Sequence, residues 1–148
     1  GGVRVVAAQS ADEAVRGANI VTTVTTSRKP VFSADSIQKG CHVNAIGSYT
    51  PEMQELPPEL VAGCDLLVLD TADGVLHESG DILKPLEAGL LEGKKIDTEM
   101  GHILLGGHGR LKDDGVTLYK STGSGVMDVV TAAAIFRRAQ QMGVGKHL

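Results

Sequence analysis

The sequence predicts an α/β fold, a partial doubly wound and mostly parallel sheet. Short apolar or β-branched runs alternate with short helical patterns at the spacing of strand–helix units. One run, residues 65–70, holds four consecutive Leu or Val residues, as in a parallel strand covered on both faces. The 148 residues are enough for one domain with a substantial core, so we expect residues 1–148 to form a single domain.

The first two strands and the first helix are predicted from short local patterns. Residues 3–8 are apolar and β-branched, which is typical of a strand. Ser10 followed by Glu13 is a capping-box pattern and predicts a helix over residues 11–16. Residues 20–24 are rich in Val and Thr and predict the second strand.

The middle of the chain predicts two more strands. A helical turn over residues 34–38 precedes the third strand, residues 43–46, which stops at Gly47. A glycine at that place lets the backbone approach a flat ligand closely. Two consecutive prolines then begin a helix over residues 59–62, and residues 65–70 form the fourth strand.

The last part of the chain predicts short helices, one strand and one long helix. Residues 71–106 contain helix-capping signals at Ser79-Gly80-Asp81 and at Asp97-Thr98-Glu99, and Asp81 is expected to be a helix N-cap. Residues 115–121 alternate as a fifth strand. Residues 126–142 carry apolar side chains on one broad face and predict the longest helix.

Composition excludes several classes of function. The net charge of −4 and the 3% aromatic content argue against a nucleic-acid surface. Apolar runs are too short to span a membrane, and the two cysteines have no metal-like spacing, so they are expected to be buried thiols in a reducing compartment. The five histidines form no ligand cluster by spacing. We therefore expect a cytoplasmic protein that binds no nucleic acid, membrane or metal.

Five segments in order carry a family resemblance. They are DEAV with GANIV (12–21), TVTTS with PV (23–31), HVNAIGSYTP with EL (42–56), ESGDI (78–82), and KSTG with Asp128 (120–128). With these motifs the chain, from about residue 3 to residue 145, resembles the ornithine cyclodeaminase/mu-crystallin family.

The resemblance implies a Rossmann-type domain that lacks its first βα unit with the Gly-rich loop. No G-x-G-x-x-G motif occurs, and the glycine-rich residues 106–109 precede a strand rather than a helix. Residues 124–148 would form a long helix returning toward an N-terminal part of the same protein, which in the family carries substrate-binding cations and the dimer interface. We expect a homodimer when complete, and weak or no cofactor binding by residues 1–148 alone.

The resemblance also implies a cofactor, NAD or NADP, and the residues that contact it. The expected cofactor-binding residues are Thr25, Thr26, Ile46, Gly47, Ser48, Lys120 and Ser121. The two threonines match contacts to the adenosine or ribose part, and residues 46–48 match a strand end near the nicotinamide. The alternative for the threonines is a turn hydroxyl that bonds its own backbone. A buried Lys in a strand needs a partner or a cavity, which favours a site at Lys120.

Two residues are expected to act on the substrate, Tyr49 and Glu78. Glu78 matches a family position near the substrate, although a solvated loop carboxylate is an equal alternative. The family's cyclodeaminases carry an Asp at the position of Tyr49, and a phenol is a poor base at neutral pH. The resemblance therefore points to an NAD(P)-dependent oxidoreductase of amino or imino acids: a ketimine reductase first, then an amino-acid dehydrogenase or cyclodeaminase-like enzyme. The alternatives are a non-enzymatic mu-crystallin-like protein that binds NADPH and a small ligand, and a folded remnant with a structural role.

Overall fold

The computed structural model describes residues 2–93, 96 and 98–146. Within these residues four parallel strands form one sheet in the order β1-β2-β4-β3. The strands are β1 (Ile20–Thr23), β2 (His42–Ala45), β3 (Leu66–Leu69) and β4 (Thr117–Lys120). The predicted parallel α/β sheet is confirmed, and the crossover order agrees with a doubly wound arrangement.

The helices connect the strands at the predicted places. In the described residues they are α1 (Ala11–Val15), α2 (Pro58–Gly63), α3 (Ala72–Glu78), α4 (Gly80–Glu87), α5 (Met100–Leu104) and α6 (Gly125–Met142), with a 3₁₀ turn at Ala34–Ser36. The capping box at α1 is confirmed in part: Ser10 Oγ accepts from Glu13 N at 3.1 Å, while Glu13 Oε2 accepts from Gln9 N at 2.7 Å. The predicted capping signal at Asp97 lies outside the described residues.

The hydrophobic core lies on one face of the sheet. Alternate strand residues point into it because side chains along a strand alternate between faces. Its buried strand residues are Val21, Val43, Leu67, Leu69 and Leu118. Leu56, Val61, Val75 and Ile82 cover them, which brings α2, α3 and α4 onto this face. The core therefore holds the four strands and the helices α2, α3 and α4 together.

Two flanking segments differ from this packed body. Residues 3–8 were predicted as a strand, and this is wrong for the chain as it stands: no described strand pairs with them, and Val3 and Val5 are exposed. A strand needs a hydrogen-bonding neighbour, which local sequence does not provide. Helix α6 forms as predicted, but none of its 18 residues, all described, is buried. No described helix is both long and apolar enough to cross a bilayer.

Candidate functional site

The carboxyl ends of the four strands lie side by side at one edge of the sheet. Thr23, Ala45, Lys120 and Leu69 occupy the same register position in the order in which the strands are arranged. The ladder continues one residue further, since Ile46 N donates to Thr23 O at 3.0 Å and Ser121 N donates to Ala45 O at 3.1 Å. The structure therefore brings the loops that follow β1, β2 and β4 to one edge.

The buried carboxylate of Glu55 joins the loops that follow β1 and β2. Its Oε1 accepts from Thr25 N at 2.5 Å, and its Oε2 accepts from Gly47 N at 2.7 Å and from Thr23 Oγ1 at 2.9 Å. The side chain is fully buried. A buried carboxylate is tolerated when hydrogen-bond donors surround it, and here all three come from the two strand ends.

Gly47 is required by packing inside the protein. A Cβ at this position would collide with the backbone N and O of Thr25 and lie 2.6 Å from Cδ of Glu55. The expectation that the missing side chain makes room for a ligand is therefore corrected, because the space belongs to the neighbouring loop. Gly47 lets the two loops touch.

Asp81 and Lys120 form a buried ion pair beneath the same edge. Lys120 Nζ lies 3.4 Å from Asp81 Oδ2 and donates to Ala45 O at 3.2 Å. Asp81 Oδ1 accepts from Glu55 N at 2.7 Å and from Leu56 N at 2.9 Å. Asp81 Oδ2 accepts no hydrogen bond from the described residues. Its charge is balanced by the ammonium of Lys120.

Burial opposes the charges of this pair. It raises the pKa of Asp81, although the Leu56 amide and the Lys120 charge act in the opposite direction. It lowers the pKa of Lys120, against the attraction of Asp81. The expectation that Asp81 caps a helix through its side chain is wrong: α4 begins at Gly80 after Ser79, and the Asp81 carboxylate serves the main chain at residues 55 and 56 instead.

Asp70 organises the other half of the edge. Its Oδ2 accepts from Ser121 Oγ at 2.6 Å and from the amides of Thr122 and Gly123 at 3.2 Å each, and its Oδ1 accepts from Thr71 N at 2.6 Å. The predicted site residue Ser121 is thus buried and bonded to Asp70. Asp70 gathers the loops after β3 and β4 as Glu55 gathers those after β1 and β2.

The remaining predicted site residues divide into exposed and internal groups. Thr25, Thr26, Tyr49 and Glu78 are exposed, with Tyr49 at 50% of its surface. Thr25 Oγ1 accepts from Ser27 N at 3.2 Å, which is the turn bond considered as the alternative. Ile46 is half-buried, whereas Gly47 and Ser48 are buried.

Ser48 ties the loop after β2 to the junction of α3 and α4. Its hydroxyl donates to Met53 O at 3.0 Å and lies 3.2 Å from Ser79 Oγ, and Gly80 N donates to Thr50 O at 3.1 Å. Glu78, the last residue of α3, therefore stands beside the loop that carries Tyr49. In the described part of the chain, no three His, Cys, Asp or Glu side chains gather as a metal site.

Sequence reasoning missed Glu55 and Asp70 as organisers of the edge. Glu55 was noted only within the family motif, and its donors lie 8, 30 and 32 residues away. Nothing local distinguishes such a carboxylate from a solvated one, which is the commoner case. The available local signal was an acidic residue directly before a Leu, in Glu55-Leu56.

Comparison with known proteins identifies relatives across nearly the whole chain. The family model described as "Ornithine cyclodeaminase/mu-crystallin family" matches residues 1–143. A Delta(1)-pyrroline-2-carboxylate reductase of Bacillus cereus is 41% identical over 140 residues, covering 94% of this chain and 43% of the relative. A ketimine reductase mu-crystallin of Macropus fuliginosus is 34% identical over 136 residues, covering 92% and 40%.

A solved structure shares the fold. The Thermococcus litoralis Delta(1)-pyrroline-2-carboxylate reductase, in complex with NADH and L-proline, superposes with a TM-score of 0.84 at 35% identity. The match covers 95% of this chain and 44% of that chain. The chain thus spans about two fifths of the length of the relatives it matches.

Proposed function

The chain belongs to the ornithine cyclodeaminase/mu-crystallin family, and on that premise we propose that it is part of an NAD(P)-dependent oxidoreductase acting on amino or imino acids. The observation that carries the proposal is the carboxyl edge, where the loops after β1, β2 and β4 meet. In open α/β sheets, cofactors and substrates bind outside the carboxyl ends of the strands. A cyclic ketimine is the substrate we propose first, because the relatives include a Delta(1)-pyrroline-2-carboxylate reductase and a ketimine reductase.

The proposed cofactor residues follow the order of the strands. Thr25 and Thr26, after β1, would hold the ribose or adenosine part of NAD or NADP. Residues 46–48, after β2, would support the nicotinamide, and Ser121 would contact the cofactor from the end of β4. The ammonium of Lys120 is engaged inside the protein, so its proposed part is to hold the carbonyl of Ala45 in place below the nicotinamide. Thr26 is exposed and Ile46 is half-buried, so both residues have surface that a ligand can reach.

The proposed chemistry is the reduction of a carbon–nitrogen double bond. When bound, the reduced nicotinamide supplies a hydride from C4 to the imine carbon, so the cofactor is oxidised and the imine becomes an amine. The imine nitrogen must also gain a proton. We assign that proton to Tyr49 or Glu78, whose polar groups are exposed on adjacent segments. A phenol can donate a proton here but is a poor base for ornithine cyclisation.

The proposed complete protein contains more than this chain. The exposed apolar side chains of α6 and of residues 3–8 would be covered by an N-terminal part of the same protein, and by a second copy in a homodimer. Residues 1–148 would then be an incomplete domain. A cytoplasmic location is proposed from the buried thiols of Cys41 and Cys64, which suit a reducing compartment.

The test is turnover by the full-length protein. Delta(1)-pyrroline-2-carboxylate and its six-membered homologue are offered with NADH and with NADPH, whereas ornithine and alanine are offered with NAD+ and with NADP+. Loss of reduced-nicotinamide absorbance with a cyclic imine is expected. Ammonia release from ornithine contradicts the proposed substrate, and cofactor binding without turnover of any imine supports the non-enzymatic alternative. Residues 1–148 alone are expected to bind either cofactor weakly or not at all.

A further inference from the structure

We propose that Glu55 is a positioning residue whose buried carboxylate fixes the spacing between the loop at Thr25 and the loop at Gly47, and so pre-arranges the two ends of the dinucleotide site. The inference rests on the proposed cofactor function. Glu55 lies outside the residues that would touch the cofactor, and it acts through the backbone of those that would.

The carboxylate uses both oxygens for this purpose. Oε1 accepts from Thr25 N at 2.5 Å on one loop, and Oε2 accepts from Gly47 N at 2.7 Å on the other. An ionised carboxylate accepts at both oxygens, whereas an amide of the same size has one oxygen and a donating NH₂. The chemistry therefore requires Glu rather than Gln.

The contact between the two loops leaves little freedom for other spacings. The position of a Gly47 Cβ is filled by the Thr25 backbone and by Cδ of Glu55. Backbone packed against backbone defines the closest approach, and the carboxylate prevents the loops from separating. Such a spacing is set before any ligand binds, which is the condition for preorganisation.

Glu55 is itself held from below. Its amide and that of Leu56 donate to Asp81 Oδ1, and Lys120 beside Asp81 donates to Ala45 O. The end of β2 is thus held at the Ala45 carbonyl by Lys120 and at the Gly47 amide by Glu55. A shift of Glu55 would move both loops relative to the sheet.

The test uses Glu55→Gln in the full-length protein, with Glu59→Gln on the exposed surface of α2 as the matched control. Dissociation constants are measured for NADH, which would contact both loops, and for ADP-ribose, which lacks the nicotinamide. Because the variant loses one hydrogen bond to a charged group, the dissociation constant for NADH is expected to rise about tenfold. ADP-ribose is expected to stay within about twofold, as for a surface change. A general folding defect would weaken both ligands equally, and that result overturns the proposal.

Amide hydrogen exchange supplies a second measurement that does not depend on cofactor. In Glu55→Gln the amides of Thr25 and Gly47 are expected to exchange faster, while Val31 N, bonded to the main-chain oxygen of Glu55, stays protected. Unchanged exchange at Thr25 and Gly47 refutes the inference. Should the Gln variant fail to fold, Glu55→Asp keeps both acceptor oxygens with a shorter reach and gives the same contrast. If wild type binds neither ligand, the proposed function fails; if it binds NADH and Glu55→Gln binds it equally, only the inference fails.

Discussion

The carboxyl edge of the sheet buries charged side chains, whereas the flanks of the molecule expose apolar ones. At the edge, charged groups are inside: Glu55, Asp81 and Lys120 are fully buried and held by other parts of the same chain. At the flanks, in residues 3–8 and in α6, apolar side chains are outside. The buried charged groups of the edge have partners within the described part of the chain, whereas the flanks are suited to contact with further protein surface.

This difference separates the contacts that the chain makes within itself from the contacts that we expect it to make with further protein. The side-chain bonds of the edge join residues as far apart in sequence as Lys120 and Ala45, which are separated by 75 positions, yet each bond described above lies inside residues 23–123. Substitutions at the edge should therefore lower the free energy of unfolding both in residues 1–148 alone and in the full-length protein. Substitutions on the flanks should matter only where the rest of the protein is present.

The largest effect is expected from Lys120→Met. The substitution removes the ammonium and leaves the Asp81 carboxylate buried without its charge partner. Breaking a buried pair in this way costs about 3–5 kcal/mol of unfolding free energy. Denaturant unfolding of the full-length protein measures it. Lys112→Met is the control, because Lys112 pairs with Asp65 at 3.8 Å on the exposed surface, where a loss of at most about 1 kcal/mol is expected.

The second effect concerns Phe136 on α6, which is 63% exposed in this chain. In residues 1–148 alone, Phe136→Ala should change the unfolding free energy by less than about 0.5 kcal/mol, as for an ordinary surface position. In the full-length protein a loss of about 3 kcal/mol is expected if the helix becomes covered. Arg137→Ala, the neighbouring exposed position, serves as the control. If Phe136→Ala changes the unfolding free energy equally little in both forms, the proposal that further protein covers α6 is contradicted.

The third effect is smaller and local. Gly47→Ala forces a Cβ against the Thr25 backbone and Glu55, and overpacking of this kind costs about 1–3 kcal/mol. The matched control is Gly63→Ala at the end of α2, where no described atom lies within 4 Å of the added Cβ. That change should be neutral or stabilising by up to about 1 kcal/mol. Thermal unfolding of the two variants is compared. A lower melting temperature for Gly47→Ala than for Gly63→Ala is expected if protein atoms fill the space beside Gly47.

The smallest effect is a pH dependence on the exposed side of the domain. Hydrogen bonds from the Ser33 amide, at 2.7 Å, and from the Ser36 hydroxyl, at 2.9 Å, lower the pKa of Asp12 from its ordinary value of 3.8. A carboxyl whose pKa is lowered on folding stabilises the fold fully above its ordinary pKa, and the gain is lost as the pH falls through the lowered value. An NMR titration should place the Asp12 pKa below 3.8, and Ser36→Ala should move it upward. An Asp12 pKa that Ser36→Ala does not change would contradict this assignment.

The sequence predicts the elements well because their signals are local. The apolar runs at residues 20–24 and 65–70 become β1 and β3, and the family resemblance is confirmed by the match over residues 1–143. Pairing is not local, and for that reason the run at residues 3–8 was predicted as a strand that this chain does not form. The apolar periodicity of α6 predicts the helix but does not say what covers it.

The site could be predicted only in outline. The loops after the strands were placed at one edge, since parallel strands end together. The partners within that edge were not foreseen, because they join segments far apart: Asp81 serves the amides of residues 55 and 56, 25 or more residues away. A local pattern such as Ser79-Gly80-Asp81 resembles a helix cap, and the tertiary contacts of Asp81 prevail over it.

NMR chemical-shift changes in the full-length protein show most directly where NADH binds. Changes are expected at Thr26, Ile46 and Ser121, at the carboxyl edge of the sheet. Asp65 and Thr117, at the opposite end of the strands, should stay unchanged. Changes centred on Asp65 and Thr117, with the carboxyl edge unaffected, would contradict cofactor binding at the carboxyl edge.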